Sequence, residues 1–373
     1  MVDVMALDED GTMLANGESQ NRRGRAEPAV SVVIPAYRCA EYIAQAIESV
    51  FAQSYADYEL LVVNDGSPDT PLLEKVLVKY LPRIRYIEQA TMGPSGARNT
   101  GIRNARGKYV AFLDADDYWV PEHLEQQLGV LKHDSSLDLV YCNYMLLKRE
   151  KPFARAFDLQ PQSPEVTFES LLVEDCAIGM STVVCSRDSL ISAGYFDEGL
   201  LRCEDFEMWL RMALRRARMA YVPEVQVFHR INDAGLSADK LSMKKDRVRV
   251  YEKVAANFPL SPPQKHVLQA LIARTQADCY VDVLKKALEH GDYAQAIGAA
   301  QQASLARKDW KLKASLWGLR LTPGLFRQLH LVRLRFQRGA TTAKPNKFSF
   351  SDAQQAVKTE SDPILVESGT GKQ

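Results

Sequence analysis

Between residues 30 and 117 the chain repeats one pattern four times: a short apolar run, a polar or glycine-bearing stop, then a helical stretch. The runs are Val30-Ser-Val-Val-Ile-Pro35, Tyr58-Glu-Leu-Leu-Val-Val63, residues 84–88, and Tyr109-Val-Ala-Phe-Leu113. All four have the length and the β-branched and aromatic content of buried strands. Between the first two, Ile43, Ala46, Ile47, Val50 and Phe51 fall at helical spacing within residues 41–53. Further helices are expected at 72–80 and 96–105. Strand–helix alternation with short links predicts right-handed βαβ units, hence an α/β wound sheet with helices on both faces.

Such sheets bind ligands outside the carboxyl ends of their strands. Here those ends carry Pro35-Ala36-Tyr37, Asn64-Asp65-Gly66, Thr91-Met92-Gly93 and Asp114-Ala115-Asp116, and the fold would bring all four to one rim. The stretch Asp114-Ala-Asp116-Asp117 reads by itself equally as a turn or as a divalent-metal site. Oxygen-only ligands such as Asp114 and Asp116 suit Mg²⁺ or Mn²⁺, which in such sites bridge to a phosphate-bearing substrate. The helix opening at Pro94-Ser95-Gly96 directs backbone N–H groups to the rim, and Arg98 adds a fork suited to phosphate oxygens. Tyr37 offers a flat face for a base and Asp65 an acceptor for a base N–H. A nucleoside diphosphate with a metal on its pyrophosphate fits this set. No GxGxxG follows the first run and no GxxxxGK[ST] occurs, which argues against a dinucleotide enzyme or a P-loop NTPase.

Val-Val-Ile-Pro-Ala-Tyr37, Val-Val-Asn-Asp-Gly-Ser67, Gly-Pro-Ser-Gly-Ala-Arg-Asn-Thr-Gly-Ile102 and Phe-Leu-Asp-Ala-Asp-Asp117 resemble successive signatures of the family 2 glycosyltransferases. The resemblance covers about residues 30–230. It implies the GT-A fold, a Rossmann-like wound mixed sheet that binds nucleotide sugars. It also implies that Pro35, Ala36, Tyr37, Asp65, Arg98 and Asp114, with Gly93 at the same rim, line the nucleotide and that Asp116 ligates the metal. Arg38-Cys39 departs from the small polar pair, often containing Asn, of many members.

Strands are expected at 137–144 and 181–185, with a short helix at 168–172. After them, Phe206, Trp209, Leu210 and Ala213 mark a helix with a buried face and Glu204 and Asp205 in its first turn. Carboxylates there answer the helix dipole by default. The resemblance places this pair where the family keeps its catalytic base, so Asp205 is expected as base and Glu204 as a supporting residue. A helix N-terminus lowers a carboxyl pKa, which would weaken Asp205 as a base unless it is partly buried. His229 closes a late strand at 225–230; it reads either as an ordinary surface or core residue or as a metal or pyrophosphate ligand, which some GT-A enzymes place in this region.

The expected organisation is a disordered leader (1–29), a catalytic domain (30–235), a helical region (240–338) and a disordered tail (339–373). Helices are expected at 241–258, 263–290 and 293–307, with Gly291-Asp292 as the turn between the last two. Residues 307–338 hold nine Lys/Arg against one acid, Asp309, interleaved with apolar residues over 312–321 and 325–336. Such a segment lies on an anionic membrane surface, docks on a partner, or caps the enzyme with a solvated basic face. Lys+Arg equals Asp+Glu at 47 each, so overall charge points to no partner, and nucleic acid is not expected. Six scattered cysteines without a CxxC pair favour free thiols, and the expected location is the cytoplasm, peripheral to the membrane face.

The expected function is metal-dependent, inverting transfer from a nucleotide sugar, of the UDP class, to a hydroxyl of a glycan or lipid-linked glycan in polysaccharide synthesis. Two alternatives stay open. A sugar-phosphate nucleotidyltransferase would want a basic, glycine-rich loop where Pro-Ala-Tyr37 stands; a non-catalytic scaffold would not need Asp116 and Asp205.

Overall fold

The structure, a computed structural model, describes residues 6–7, 13–14 and 27–339, apart from 161, 175, 177, 233–234 and 308–309. The expected tail beyond residue 339 lies outside the described residues. So does the leader, but for residues 27–29 and an antiparallel pair, β1 (Ala6–Leu7) and β2 (Met13–Leu14).

The wind then begins: β3 (Val30–Ala36), α1 (Ile43–Phe51), β4 (Tyr58–Asp65), α2 (Thr70–Leu77), β5 (Arg85–Gln89), α3 (Gly93–Asn104) and β6 (Tyr109–Phe112). Strands β3 to β6 are parallel, in the spatial order β5-β4-β3-β6. The second half adds β7 (Tyr118–Trp119), α4 (His123–His133), β8 (Leu139–Lys148), β9 (Lys151–Arg155), α5 (Ala156–Leu159), α6 (Phe168–Glu174), β10 (Val184–Ser186), α7 (Arg187–Ala193), α8 (Glu204–Leu214) and β11 (Met219–Arg230). β10 runs antiparallel between β6 and β8, so the sheet is mixed, and it continues through β11 to β7, with β9 beside β8.

Each buried strand feeds two cores. Val33, Val63 and Phe112 face one hydrophobic cluster; their neighbours Val32, Ile34, Val62 and Ala111 face another. A strand covered on both sides needs apolar residues at every position, which is why these runs show no alternation. The helix α3 lies close on the sheet: a Cβ on Gly101 would meet Val33 Cγ1 at 2.3 Å. Alanine gains about 1 kcal/mol of helix propensity over glycine, but overpacking costs about 1–3 kcal/mol. Gly101→Ala is therefore expected to lower the melting temperature; an unchanged melt would mean that β3 yields at no cost.

The expected strand at 181–185 begins later than the apolar pattern suggests. Met180–Thr182 is a 3-10 turn, and only Val184–Ser186 pairs. β11 starts at Met219, earlier than expected, and absorbs Pro223 in a register shift between Val222 and Val225.

The helical region comprises α9 (Lys240–Asn257), α10 (Pro262–His290), α11 (Tyr293–Ala306), α12 (Trp310–Leu321) and α13 (Pro323–Gly339). A capping box of Ser261 and Gln264 starts α10, and Gly291, at φ +77°, ends it. Packing is continuous across the expected domain limit: Val250, Tyr251, Val254, Leu260 and Leu268 belong to the same core as Trp209 and Phe112. A separate small core of Ala287, Leu288, Ala296 and Leu319 joins α10, α11 and α12, and Phe326 of α13 packs against it.

Candidate active site

A cleft of about 1000 Å³ opens at the carboxyl ends of β3, β4 and β6. Pro35, Ala36, Tyr37, Asp65, Gly93, Arg98, Asp114, Asp116, Glu204, Asp205 and His229, all the residues singled out from the sequence, line it. Their hydrogen bonds divide them by role.

Tyr37 is half exposed, with the Arg38 guanidinium 5.5 Å from its ring centre. Arg38 sits at φ +51°, in the left-handed region, and its N–H donates to Ser67 Oγ at 2.7 Å. Asn tolerates this conformation more readily than Arg, a physical reason for the polar residue common among the chains it resembles.

Asp65 is more committed than the sequence suggests. Its Oδ1 accepts from Met92 N–H (2.8 Å) and Gln89 Nε2 (2.7 Å), and its Oδ2 from Gly93 N–H (2.8 Å). The carboxylate thus takes N–H groups at the start of α3 and answers that helix's positive end, fixing the rim before any base arrives.

Arg98 differs most from expectation. It is buried, with Nη2 donating to Asp114 Oδ1 and Nη1 to Glu204 Oε1, each at 2.7 Å. The fork expected to receive phosphate oxygens is filled by two carboxylates, because a buried guanidinium needs charge partners of its own. Burial opposes its charge, but the two carboxylates outweigh that and raise its pKa. One cation thereby ties the β6 end to the start of α8.

Asp117 is the fully buried hub of the acidic turn. Its Oδ2 accepts from Ser181 Oγ (2.5 Å) and His229 Nδ1 (2.9 Å), and its Oδ1 from Arg230 N–H (3.0 Å). Ser181, placed by the 3-10 turn, also accepts from Asp114 N–H at 3.1 Å. Asp116 is the opposite case. Burial and the neighbouring Asp117 and Asp114 carboxylates push it up to about 7, and no salt bridge to it forms among the described residues. Burial opposes charge on His229 too, but Asp117, with Asp114 and Asp116 beyond, lifts it to about 9.

Asp114, Asp116 and His229 are therefore neighbours of one cleft but not a preformed cage. Among the described residues, no three His, Cys, Asp or Glu side chains converge to hold a metal ion. Asp114 is engaged by Arg98, and a protonated His229 has no lone pair to give. The donor chemistry still fits a hard cation held by one carboxylate and completed by substrate oxygens, and positive charge beside Asp116 would relieve its crowding.

Across Arg98, α8 opens at Cys203, which adopts φ +59°. A non-glycine residue there costs about 1–3 kcal/mol and persists only where its surroundings fix it. Burial pushes Glu204 up to about 7 against the pull of Arg98, and it raises half-buried Asp205 as well, against the hydrogen bond from Phe206 N–H (2.7 Å). At this helix N-terminus burial outweighs the dipole.

Sequence reasoning missed the wall beyond this pair. Leu236, Ser237, Met243 and Arg247, in the turn before α9 and on α9 itself, line the cleft. Arg247 lies 4.8 Å from the Phe206 ring centre, and Cys203 Sγ contacts Met243 O at 3.6 Å. Nothing in a Lys/Arg-rich helix marks one arginine as facing a site; the contact is long-range.

Comparison with known proteins agrees with the fold and the rim. Residues 31–162 match the family model of glycosyl transferase family 2. The chain is 30% identical over 239 residues to an uncharacterized glycosyltransferase of Rickettsia typhi, spanning 62% of this chain and 71% of that protein. It is 34% identical over 182 residues, 48% of this chain and 68% of the relative, to an Escherichia coli protein named UDP-Glc:alpha-D-GlcNAc-diphosphoundecaprenol beta-1,3-glucosyltransferase WfgD. In fold it is similar to S. aureus TarS 1–349 in complex with UDP-GlcNAc, with a TM-score of 0.58 at 18% identity over 83% of this chain and 92% of that one. A mannosyltransferase from Pyrobaculum calidifontis in complex with GDP-Man and Mn²⁺ gives a TM-score of 0.51 at 20% identity, over 82% and 83% of the two chains. With the four rim motifs on one wound sheet and this extent of shared sequence, the chain belongs to glycosyl transferase family 2 and is a glycosyltransferase of the GT-A fold.

Proposed function

We propose that the chain moves a sugar from a UDP-sugar to a hydroxyl of a glycan or lipid-linked glycan, with inversion and with a divalent metal. The observation that carries this reading is the Arg98 bridge. It sets the nucleotide rim, through Asp114, within one guanidinium of Glu204 and the adjacent Asp205. Donor and base thereby share one cleft, as a direct displacement requires. The donor and acceptor classes are supported by the relatives, one of them named for UDP-Glc and a GlcNAc-diphosphoundecaprenol acceptor.

In this reading Tyr37 stacks on the base, and Pro35, Ala36 and Gly93 let the nucleotide approach the rim closely. Asp205 takes the acceptor hydroxyl proton as that oxygen attacks the anomeric carbon opposite the diphosphate. Glu204, held by Arg98, positions the acceptor. The metal, Mn²⁺ or Mg²⁺, would be held by Asp116, with Asp114 beside it; when bound it stabilises charge on the departing diphosphate. Positive charge there would favour a neutral His229, leaving its Nδ1–H on Asp117 and its Nε2 free to act as a ligand, a pairing that orients metal-bound histidines.

Asp116→Ala tests the metal assignment. Titration calorimetry with UDP should show affinity that rises with Mn²⁺ for the parent chain and no longer responds to Mn²⁺ in the variant. A parent-like response would remove Asp116 from the site.

A further inference from the structure

The α12–α13 hairpin leaves one face uncovered. Inward, Leu319 is buried against Ala287 and Leu288, and the Phe326 ring lies so close over Gly318 that a Cβ there would meet it at 2.4 Å. Arg327 Nε donates to Leu288 O at 3.1 Å. These contacts fix which side of the hairpin meets α10 and α11. On the other side Trp317 and Leu321 are 68% and 75% exposed, and Leu325 and Leu329 are 53% and 59% exposed. Each pair is spaced i, i+4, so each forms a stripe on its own helix. Single exposed apolar residues are ordinary; four large ones in two i, i+4 pairs on one hairpin are not.

Charge says what covers them. At 100° per residue, Lys313 and Arg320 fall on one flank of the Trp317–Leu321 stripe, about 100–120° round the helix from inward-facing Leu319, and both are exposed. Residues 307–338 carry nine Lys/Arg and a single acid. A second copy of the chain would set Lys313 and Arg320 of one hairpin against those of the other, with no acid on the stripe to answer them. A sheet of acidic headgroups over an apolar interior suits both: Trp and Leu at the interface, Lys and Arg at the phosphates.

We propose that this face of the α12–α13 hairpin docks on an anionic bilayer surface. No described helix is long and apolar enough to cross a membrane, so the contact is a peripheral one. The inference does not depend on the donor or acceptor assigned above.

The test is flotation of the full chain with vesicles of phosphatidylcholine alone or mixed with phosphatidylglycerol. The expected result is binding to the mixed vesicles only, weakened by salt. Trp317→Ser with Leu321→Ser, and separately Lys313→Glu with Arg320→Glu, should each lower partitioning about tenfold or more. Melting temperature should change little in both: Trp317 and Leu321 are largely exposed, and of the two cations only Arg320 gives up a contact, a long 3.4 Å bond to Gln301 Oε1. Absence of binding to the mixed vesicles, or variants that float like the parent, would overturn the proposal. So would a parent dimer by light scattering that becomes a monomer on the serine substitutions while vesicle binding persists. Transfer to a water-soluble acceptor, measured in parallel, reports on the catalytic reading alone.

Discussion

Asp205→Ala is expected to lower turnover by about 10²–10⁴-fold, the usual contribution of a positioned general base, while UDP binding stays near that of the parent. The separation follows from geometry. Asp205 stands at the start of α8, across Arg98 from the strand ends that carry Tyr37, Asp65 and Asp116. Of the two acids there, Asp205 is the one proposed as the base. Glu204 gives Oε1 to Arg98, whereas half-buried Asp205 forms no salt bridge among the described residues and accepts from Phe206 N–H within its own turn. The pH profile gives a second reading. Burial raises both carboxyls, Glu204 to about 7. A base works only when ionised, so the upward shift of Asp205 means that kcat/KM should fall as pH is lowered, at a higher pH than an ordinary aspartate would give. Unchanged turnover in Asp205→Ala, or a profile flat down to pH values near 4, would move the base elsewhere.

The parts of this protein legible in its sequence are those governed by local physics. Unbroken apolar runs ending in Asp, Asn or Gly announced the parallel strands and the rim, since only a doubly covered strand tolerates such composition. Gly291-Asp292 marked the end of α10 because a left-handed cap favours glycine. What could not be read was which partner each charged side chain would choose. Asp65 resembles a ligand for a base, yet it holds Gln89, Met92 and Gly93. Arg98 resembles a phosphate clamp, yet its partners lie 16 and 106 residues away. Asp117, read from the sequence only as part of a turn or metal site, is fully buried with three partners, and neither Ser181 nor Arg230 could be named among them beforehand. The α9 wall escaped for the same reason: long-range pairing depends on the finished fold, and composition carries no record of it.

Arg98 is where that difference can be measured. As a phosphate ligand it would affect donor affinity and little else when removed. As a buried pin between Asp114 and Glu204, Arg98→Met leaves two carboxylates without their cation, a change that costs about 3–5 kcal/mol in buried pairs. The melting temperature should then drop by roughly 10 °C, and turnover should fall with it as the β6 end and the start of α8 lose their common anchor. Arg98→Lys should recover little, because one ammonium cannot span both acids as a planar fork does. The decisive comparison adds Asp114→Asn and Glu204→Gln to Arg98→Met. Removing all three charges together takes away the uncompensated burial, so stability should return toward the parent while transfer does not. If the triple variant stays as unstable as Arg98→Met, the charge pairing is not what Arg98 supplies. If Arg98→Met melts like the parent and loses only UDP affinity, the fork opens to the diphosphate after all, and the two carboxylates merely hold it in reserve.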